Sequence, residues 1–184
     1  MPAQSLNEQV YLGCTENTLY DLASLTKILT TTLISAYAID KDQLKLDEEP
    51  WERWPGVSVA HVLNHTAGLA PIEDKILYRP GEVTLYSDIG FIALGRLLEE
   101  RLSAKLDIIC AELFPRYYGE VNLCFNARPV NDERCRAMGG VAGHAGLFGN
   151  LNSVVKAGEF FLRVLQGNEL GVPAILREFA FYKS

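Results

Sequence analysis

Long apolar segments and clusters of basic residues are both missing from this 184-residue sequence. No stretch reaches the roughly 18 apolar residues that a membrane-spanning helix needs, so we expect no membrane span. No run of Lys or Arg occurs, and the net charge of −6 argues against a nucleic-acid partner, which would require a basic surface. With 48% hydrophobic and 22% charged residues, the composition is typical of an ordinary soluble globular protein.

Cysteine and histidine are also scarce. The four cysteines show no C-x-x-C spacing, so we expect small core residues of a reducing compartment, or at most one disulfide bridge. Among the three histidines, His61 and His65 are four residues apart and could share a metal ion. The glutamate of an H-E-x-x-H motif is missing between them, and we therefore expect no metal site.

The N-terminal residues carry neither the basic region nor the apolar run of a signal peptide. As written, the chain is expected to be cytoplasmic. An upstream leader in a longer gene product would instead make it periplasmic or secreted.

A serine and a lysine with S-x-x-K spacing, Ser24 and Lys27, stand at the start of a predicted helix. The helix is expected from about Leu22 to about Ile39, because its apolar residues recur at three- and four-residue steps. Residues three apart share a helix face, so the Lys27 amine can approach the Ser24 hydroxyl. A partly desolvated lysine can accept the serine proton, and the helix N-terminal amides favour negative charge on an attacked carbonyl. The predicted buried stripe is Leu25, Ile28, Leu29, Leu33, Ile34 and Tyr37.

The same spacing occurs again at Ser153 and Lys156, also near a predicted helix start. The spacing alone is weak evidence, because both residue types are common. A capping serine and a solvated lysine explain this second copy. Ser24 remains the candidate nucleophile because of the motifs that follow it.

Further helices and little sheet are predicted along the chain. The stretch 116–150 is rich in glycine and is expected to be an ordered loop with little regular structure. The core stripe of the helix before residue 166 is predicted to be Val155, Phe160 or Phe161, Leu162 and Leu165. The predicted elements are a strand-like run at Val10 to Leu12 and helices from Ser58 to Gly68, from a capping Asp88 to Arg101, from Lys105 to Leu113 with Pro115 as the stop, from Asn152 to Leu165, and from Pro173 to Phe181.

Three local patterns stand in a fixed order: the Ser24/Lys27 pair, the segment from His61 to Leu69, and Tyr86-Ser87-Asp88. Together they resemble the serine β-lactamase-like family, which includes class C β-lactamases, penicillin-binding DD-peptidases and related esterases. The stretch from Gly139 to Phe148 is similar to a glycine-rich segment of one branch. The resemblance covers roughly residues 17 to 165. It implies the mainly α-helical region of an α+β fold, with at most a reduced antiparallel sheet.

The resemblance also implies roles for individual residues. Ser24 would be the acylated nucleophile, with its backbone amide as half of an oxyanion hole, and Lys27 would accept its proton. Tyr86 would be the second member of the base and would relay the proton to the leaving group. His65 would fix the loop after its helix, and Asp88, where many relatives have Asn, is explained as a helix N-cap. Because nucleophile and base are side chains, no cofactor is implied.

The sequence departs from the family pattern in its third motif, since no K-T-G follows the glycine-rich segment. His144-Ala-Gly146 fits the alternative H-x-G, but a helix start follows it closely, so we assign His144 to the helical region and not to a catalytic motif. We expect a single domain over residues 1–184 that is incomplete. Its sheet would be reduced, or completed by self-association or by a partner chain.

Three functions remain open at this point. The first is a serine hydrolase that forms an acyl-enzyme on Ser24 with a small ester, amide or β-lactam. The second is a non-catalytic binding or interaction domain that keeps the motif residues without the sheet. The third is a penicillin-binding DD-peptidase acting on a peptidoglycan-like peptide, which would require an exported form.

Overall fold

The computed structural model describes residues 13–167. The strand-like run at Val10 to Leu12 and the terminal helix at Pro173 to Phe181 lie outside these residues. The described elements are β1 (Tyr20–Asp21), a π-helical segment (Lys27–Thr32) that continues into α1 (Leu33–Asp40), α2 (Val59–Leu63), α3 (Asp88–Leu102), α4 (Leu106–Tyr118), β2 (Leu123–Phe125), α5 (Glu133–Ala137), β3 (Leu147–Gly149) and α6 (Leu151–Leu165).

The three strands form one small antiparallel sheet in the order β1-β3-β2. In the central strand, Phe148 lies opposite Asp21 on one side and Cys124 on the other. The prediction of a mainly α-helical fold with a reduced antiparallel sheet is confirmed. The prediction of a loop at 116–150 is wrong in part, because the segment contains β2, α5 and β3. These elements are too short to show a hydrophobic period in the sequence.

The first helix has a different buried face from the predicted one. Leu29, Leu33 and Ile34 are buried, but Leu25 and Ile28 are 44% and 50% exposed. The wider turn of the π-helical segment changes the angular position of successive side chains, so a stripe derived from a 3.6-residue period does not hold there. Leu25 and Ile28 consequently face a surface cavity beside Ser24.

Helix α2 begins as predicted and ends early. The Ser58 side chain accepts the backbone N–H of His61 at the N-terminus. The helix stops at Leu63 instead of at Gly68. Gly68 lies beyond the helix with φ +68°, where an added Cβ would collide with the Tyr78 carbonyl, so it permits a close approach of two chain segments.

Helix α4 continues past Pro115, which was predicted to end it, as far as Tyr118. Pro115 lies within the helix and leaves one carbonyl without its usual donor. Aromatic packing holds the last turn in place, since the Tyr118 ring stacks on Phe114 and its hydroxyl donates to the Leu29 carbonyl at 2.9 Å. The contacts of Tyr118 thus outweigh the local effect of the proline.

Helix α6 starts close to the predicted position, with Asn150 as its N-cap, but buries another face. Phe160 packs against Tyr117 and Tyr118 of α4. This contact orients the helix so that the residues seven and three before Phe160 and four after it also face inward. Of the predicted stripe, only Phe160 is fully buried. Val155, Leu162 and Leu165 are 47%, 53% and 39% exposed, and the buried residues are Ser153, Ala157, Phe160 and Val164.

The glycine-rich loop before β3 packs directly on the backbone of α3. A methyl group on Gly143 would collide with the Phe91 carbonyl and lie 3.0 Å from the Gly95 Cα. Two glycines facing each other therefore set the distance between this loop and α3. The same loop contributes to the candidate site described below.

We expect Gly143→Ala to lower the free energy of unfolding by about 1–3 kcal/mol, because the added methyl must push the loop away from α3. Gly158→Ala on α6 is the matched control, since nothing lies within 4 Å of its added Cβ. That change should stabilise the protein by about 0.5–1 kcal/mol through helix propensity. Urea unfolding followed by circular dichroism measures both, and equal midpoints for the two variants would contradict the described packing.

Candidate active site

Ser24 lies on an exposed turn between β1 and the π-helical segment. Ala23 before it has φ +45°, a left-handed conformation that is uncommon for a residue with a side chain. The Asp21 carboxylate accepts the Ala23 N–H at 2.9 Å, and the Leu22 N–H donates to the Leu147 carbonyl of β3 at 2.9 Å. These bonds fix the turn, so Ser24 is presented to solvent at a defined place.

Lys27 is buried directly behind Ser24, and its amine has three oxygen partners. Nζ lies 3.2 Å from Ser24 Oγ, 3.1 Å from the His144 carbonyl and 2.7 Å from Asp88 Oδ1. The Ser24 hydroxyl and the His144 carbonyl accept hydrogen bonds from the amine, whereas the Asp88 carboxylate forms an ion pair without hydrogen-bond geometry. The structure therefore confirms the proximity of Ser24 and Lys27 and adds two partners from distant parts of the chain.

These partners also define what the amine can do when it is neutral. A neutral amine keeps two N–H groups and one lone pair, and one N–H can remain on the His144 carbonyl. The lone pair can then point to Ser24 Oγ, which lies 3.2 Å away. One arrangement thus accommodates both a charged Lys27 and an amine that accepts the Ser24 proton.

Asp88 is not the N-cap of α3, contrary to the prediction. Ser87 occupies the cap position, and Asp88 is the first residue of the helix. Its carboxylate forms the ion pair with Lys27, and a negative charge in the first turn is favoured by the helix dipole. Asp88 thereby offsets the charge of a lysine that is otherwise withdrawn from water.

Tyr86 approaches Lys27 with the face of its ring. Nζ lies 4.7 Å from the ring centroid, within the range of a cation–π contact. Within residues 13–167, no hydrogen bond joins the Tyr86 hydroxyl to Ser24 or Lys27. The structure brings Tyr86 to the site, and its role in the base stays a prediction.

His65 holds the segment that carries Tyr86. Its Nδ1 accepts the Ser87 N–H at 3.2 Å, and its ring stacks on Tyr86 with centroids 4.4 Å apart. Burial lowers the pKa of His65 to about 4, with a further contribution from the positive charge of Lys27. A neutral ring leaves Nδ1 free to accept, so its protonation state and its hydrogen bond agree.

His144 lies in the loop between α5 and β3, and its two polar groups face different partners. The carbonyl accepts from Lys27, while the buried ring places Nε2 3.0 Å from Asp132 Oδ1. Sequence reasoning missed Asp132 and the carbonyl entirely. Asp132 could have been predicted as a helix N-cap, because aspartate is a preferred residue at that position. In the structure it caps α5 and accepts the Cys135 N–H.

The second S-x-x-K copy does not form a pair. Ser153 is buried and its Oγ accepts the Asn122 N–H at 2.6 Å, whereas the Lys156 amine donates to the Glu120 carbonyl at 2.6 Å. Both side chains hydrogen-bond the start of α6 to the segment before β2. Of the two copies, only the first brings its serine hydroxyl and its lysine amine within hydrogen-bond distance of each other.

A cavity of about 510 Å³ opens beside the Ser24 hydroxyl. Its lining is largely apolar, and the Lys27 ammonium in it already has Asp88 as its counter-ion. Such a cavity suits a neutral, apolar group. The lining residues are Leu22, Ser24, Leu25, Lys27, Ile28, Thr32, Leu63, His65, Tyr86 and Phe91.

Residues 13–167 lack the features of a metal site or a disulfide site. No three His, Cys, Asp or Glu side chains in that range are placed to hold a metal ion. All four cysteines are free thiols, and Cys110 and Cys135 are buried. Within the same residues, no helix combines the length and the apolar character needed to cross a membrane.

Comparisons with known proteins identify the family. The model of the family described as Beta-lactamase matches residues 5–181, and the chain belongs to this family. It is 24% identical over 215 residues to the "Putative D-alanyl-D-alanine carboxypeptidase" of Escherichia coli (strain K12), a match that covers 76% of this chain and 50% of the relative. The chain thus spans about half the length of that curated relative.

Solved structures share the fold at low sequence identity. A β-lactamase from Mycobacterium bovis superposes with a TM-score of 0.68 at 24% identity, covering 89% of this chain and 53% of that one. EstCE1, a hydrolase with promiscuous acyltransferase activity, superposes with a TM-score of 0.68 at 18% identity, covering 88% and 63%. The predicted family is confirmed, and these likenesses establish the fold.

We expect the free energy of unfolding to decrease as the pH is lowered from about 6.5 to about 4, because His65 in the unfolded chain binds a proton that the folded chain excludes. His65→Asn is the matched control. Its amide oxygen can accept the Ser87 N–H, and asparagine tolerates the φ of +57° at this position, but it does not titrate. Urea unfolding at a series of pH values should show a shallower acid slope for the variant, and identical slopes would contradict the assignment.

Proposed function

We propose that this chain is a serine hydrolase that forms an acyl-enzyme on Ser24. The observation that carries the proposal is the placement of the Lys27 amine 3.2 Å from Ser24 Oγ, with a second hydrogen bond to the His144 carbonyl and an ion pair with Asp88. A base held at hydrogen-bond distance from the hydroxyl can take its proton directly. Membership of the beta-lactamase family supports the proposal.

The proposed reaction has two halves. Ser24 Oγ attacks the carbonyl carbon of the substrate while its proton passes to Lys27 Nζ, and the Ser24 backbone amide stabilises the developing oxyanion. The proton then passes to the leaving group, with Tyr86 as the relay, and the acyl-enzyme remains. Water attacks this ester and gives its proton to the same base, which passes it to Ser24 Oγ as the bond to the acyl group breaks. The acid is released and Ser24 and Lys27 return to their starting forms.

The cavity favours an ester, amide or β-lactam with an apolar and uncharged acyl group. Leu25 and Ile28 present exposed apolar side chains on the Ser24 side of the helix. In the described residues, the amine nearest to Ser24 is already paired with Asp88, so a substrate carboxylate gains no free cation there. A small neutral ester therefore suits this site better than a peptide that ends in a carboxylate.

A non-catalytic binding domain is the second candidate. Two observations favour it: the exposure of Leu25 and Ile28 beside Ser24, and a three-stranded sheet whose outer strands β1 and β2 each have an unpaired edge within the described residues. Strand edges and apolar side chains are the features by which further strands or a partner chain could complete the sheet. The DD-peptidase alternative is supported by the name of the Escherichia coli relative.

Incubation with a fluorophosphonate, followed by intact mass and peptide mapping, separates these functions. We expect one adduct on Ser24, its loss in Ser24→Ala, and an unchanged adduct in Ser153→Ala, because the second copy lacks a lysine partner. A parallel incubation with penicillin distinguishes a lactam-binding site from an esterase-like one. No adduct on the folded wild-type chain would reject the hydrolase and leave the binding domain.

A further inference from the structure

We propose that Asp132 and His144 are positioning residues for the Ser24 reaction, acting through the His144 carbonyl on the Lys27 amine. The inference rests on the proposed function, and it assigns a task to two side chains that do not touch the reacting atoms. The path runs from the Asp132 carboxylate to the His144 ring, and from the His144 backbone to Lys27.

The first step of the path is a fixed carboxylate. Asp132 Oδ1 accepts the Cys135 N–H at 2.7 Å and so caps α5, and it also lies 3.0 Å from His144 Nε2. The Cys135 thiol in turn donates to the Ala145 carbonyl at 3.2 Å. Asp132 therefore bonds the His144 ring, and Cys135, which it caps, bonds the carbonyl of the next residue, Ala145.

The second step is a buried imidazole in a defined form. The ring of His144 is 1% exposed, and burial lowers its pKa although Asp132 opposes the shift. The neutral ring donates Nε2–H to Asp132, and Nδ1 has no hydrogen-bond partner among the described residues. Because one bond alone holds this buried ring by its polar atoms, Asp132 determines its orientation.

The third step connects the loop to the helix of the nucleophile. The Thr31 hydroxyl donates to the Gly143 carbonyl at 2.6 Å, and the Leu147 N–H donates to Thr26 Oγ1 at 3.1 Å. The Lys27 amine contacts the His144 carbonyl between these two bonds. If the His144 ring is released, the peptide that carries its carbonyl can rotate. The Lys27 amine then loses the hydrogen-bond acceptor that holds it beside Ser24.

Two substitutions of Asp132 separate positioning from helix capping. Asp132→Ser keeps an N-cap for Cys135 but is too short to reach His144, whereas Asp132→Asn keeps an oxygen for both donors. Saturation kinetics of fluorophosphonate labelling give the reagent's binding constant and the maximal labelling rate for each variant. We expect Asp132→Ser to lower the maximal rate by about tenfold or more with an unchanged binding constant, and Asp132→Asn to restore it.

A third variant, His144→Leu, should slow labelling no further when combined with Asp132→Ser, because both remove the same bond. Equal maximal rates for wild type, Asp132→Ser and Asp132→Asn would overturn the proposal. A parallel loss in both Asp132 variants, or a change confined to the binding constant, would overturn it as well.

A separate measurement covers the case in which wild type is not labelled, which would reject the proposed function. The Nε2–H proton of His144 should give a protected NMR signal in wild type and in Asp132→Asn, and none in Asp132→Ser. A protected signal that survives in Asp132→Ser would show that Asp132 does not hold the ring. If wild type is labelled and the variants are labelled at the same maximal rate, the proposed function stands. Only the role of Asp132 and His144 as positioning residues is then rejected.

Discussion

The structure depends on how one buried lysine amine is satisfied. A charged or polar nitrogen withdrawn from water is costly unless each of its hydrogens finds an acceptor. Lys27 makes hydrogen bonds to the Ser24 hydroxyl in the adjoining turn and to the His144 carbonyl in the loop before β3, and its charge is paired with Asp88, the first residue of α3. Three segments that are far apart in sequence therefore converge on one atom.

This convergence explains several features around the site. The close approach of Gly143 to α3 brings the loop within reach of Lys27, and the His65 ring holds the start of α3 at Ser87. Tyr86 is carried to the amine by the same segment. Of the three residues that contact the amine, Ser24 is exposed, Asp88 is partly buried and His144 is buried.

Local patterns were enough to predict the parts of the site that are close in sequence. The S-x-x-K spacing predicted the contact of Ser24 with Lys27, and the order of the motifs predicted the family and the mainly helical fold. The acceptor at His144 is a backbone carbonyl 117 residues from Lys27, and a carbonyl has no signature in sequence. Asp88 shows the same limit, since capping and ion pairing both call for an aspartate at a helix start.

The differences between the predicted and observed helices also have a common cause. Local rules predicted an end of α4 at Pro115 and a different buried face of α6, but tertiary contacts decide both. The Tyr118 hydroxyl donates to the Leu29 carbonyl, and Phe160 packs on Tyr117 and Tyr118. In the first helix, the π-helical segment changes the period on which the pattern depends. Tertiary packing overrides local preference where large side chains from two elements meet.

Activation of Ser24 by Lys27 is tested by the labelling rate of Lys27→Met with a fluorophosphonate. Methionine fills similar space without a base, and circular dichroism shows whether the variant folds. The account predicts a rate constant lower by about 10²–10⁴-fold for the folded variant, the usual contribution of a general base. A folded variant labelled on Ser24 at the wild-type rate would contradict it.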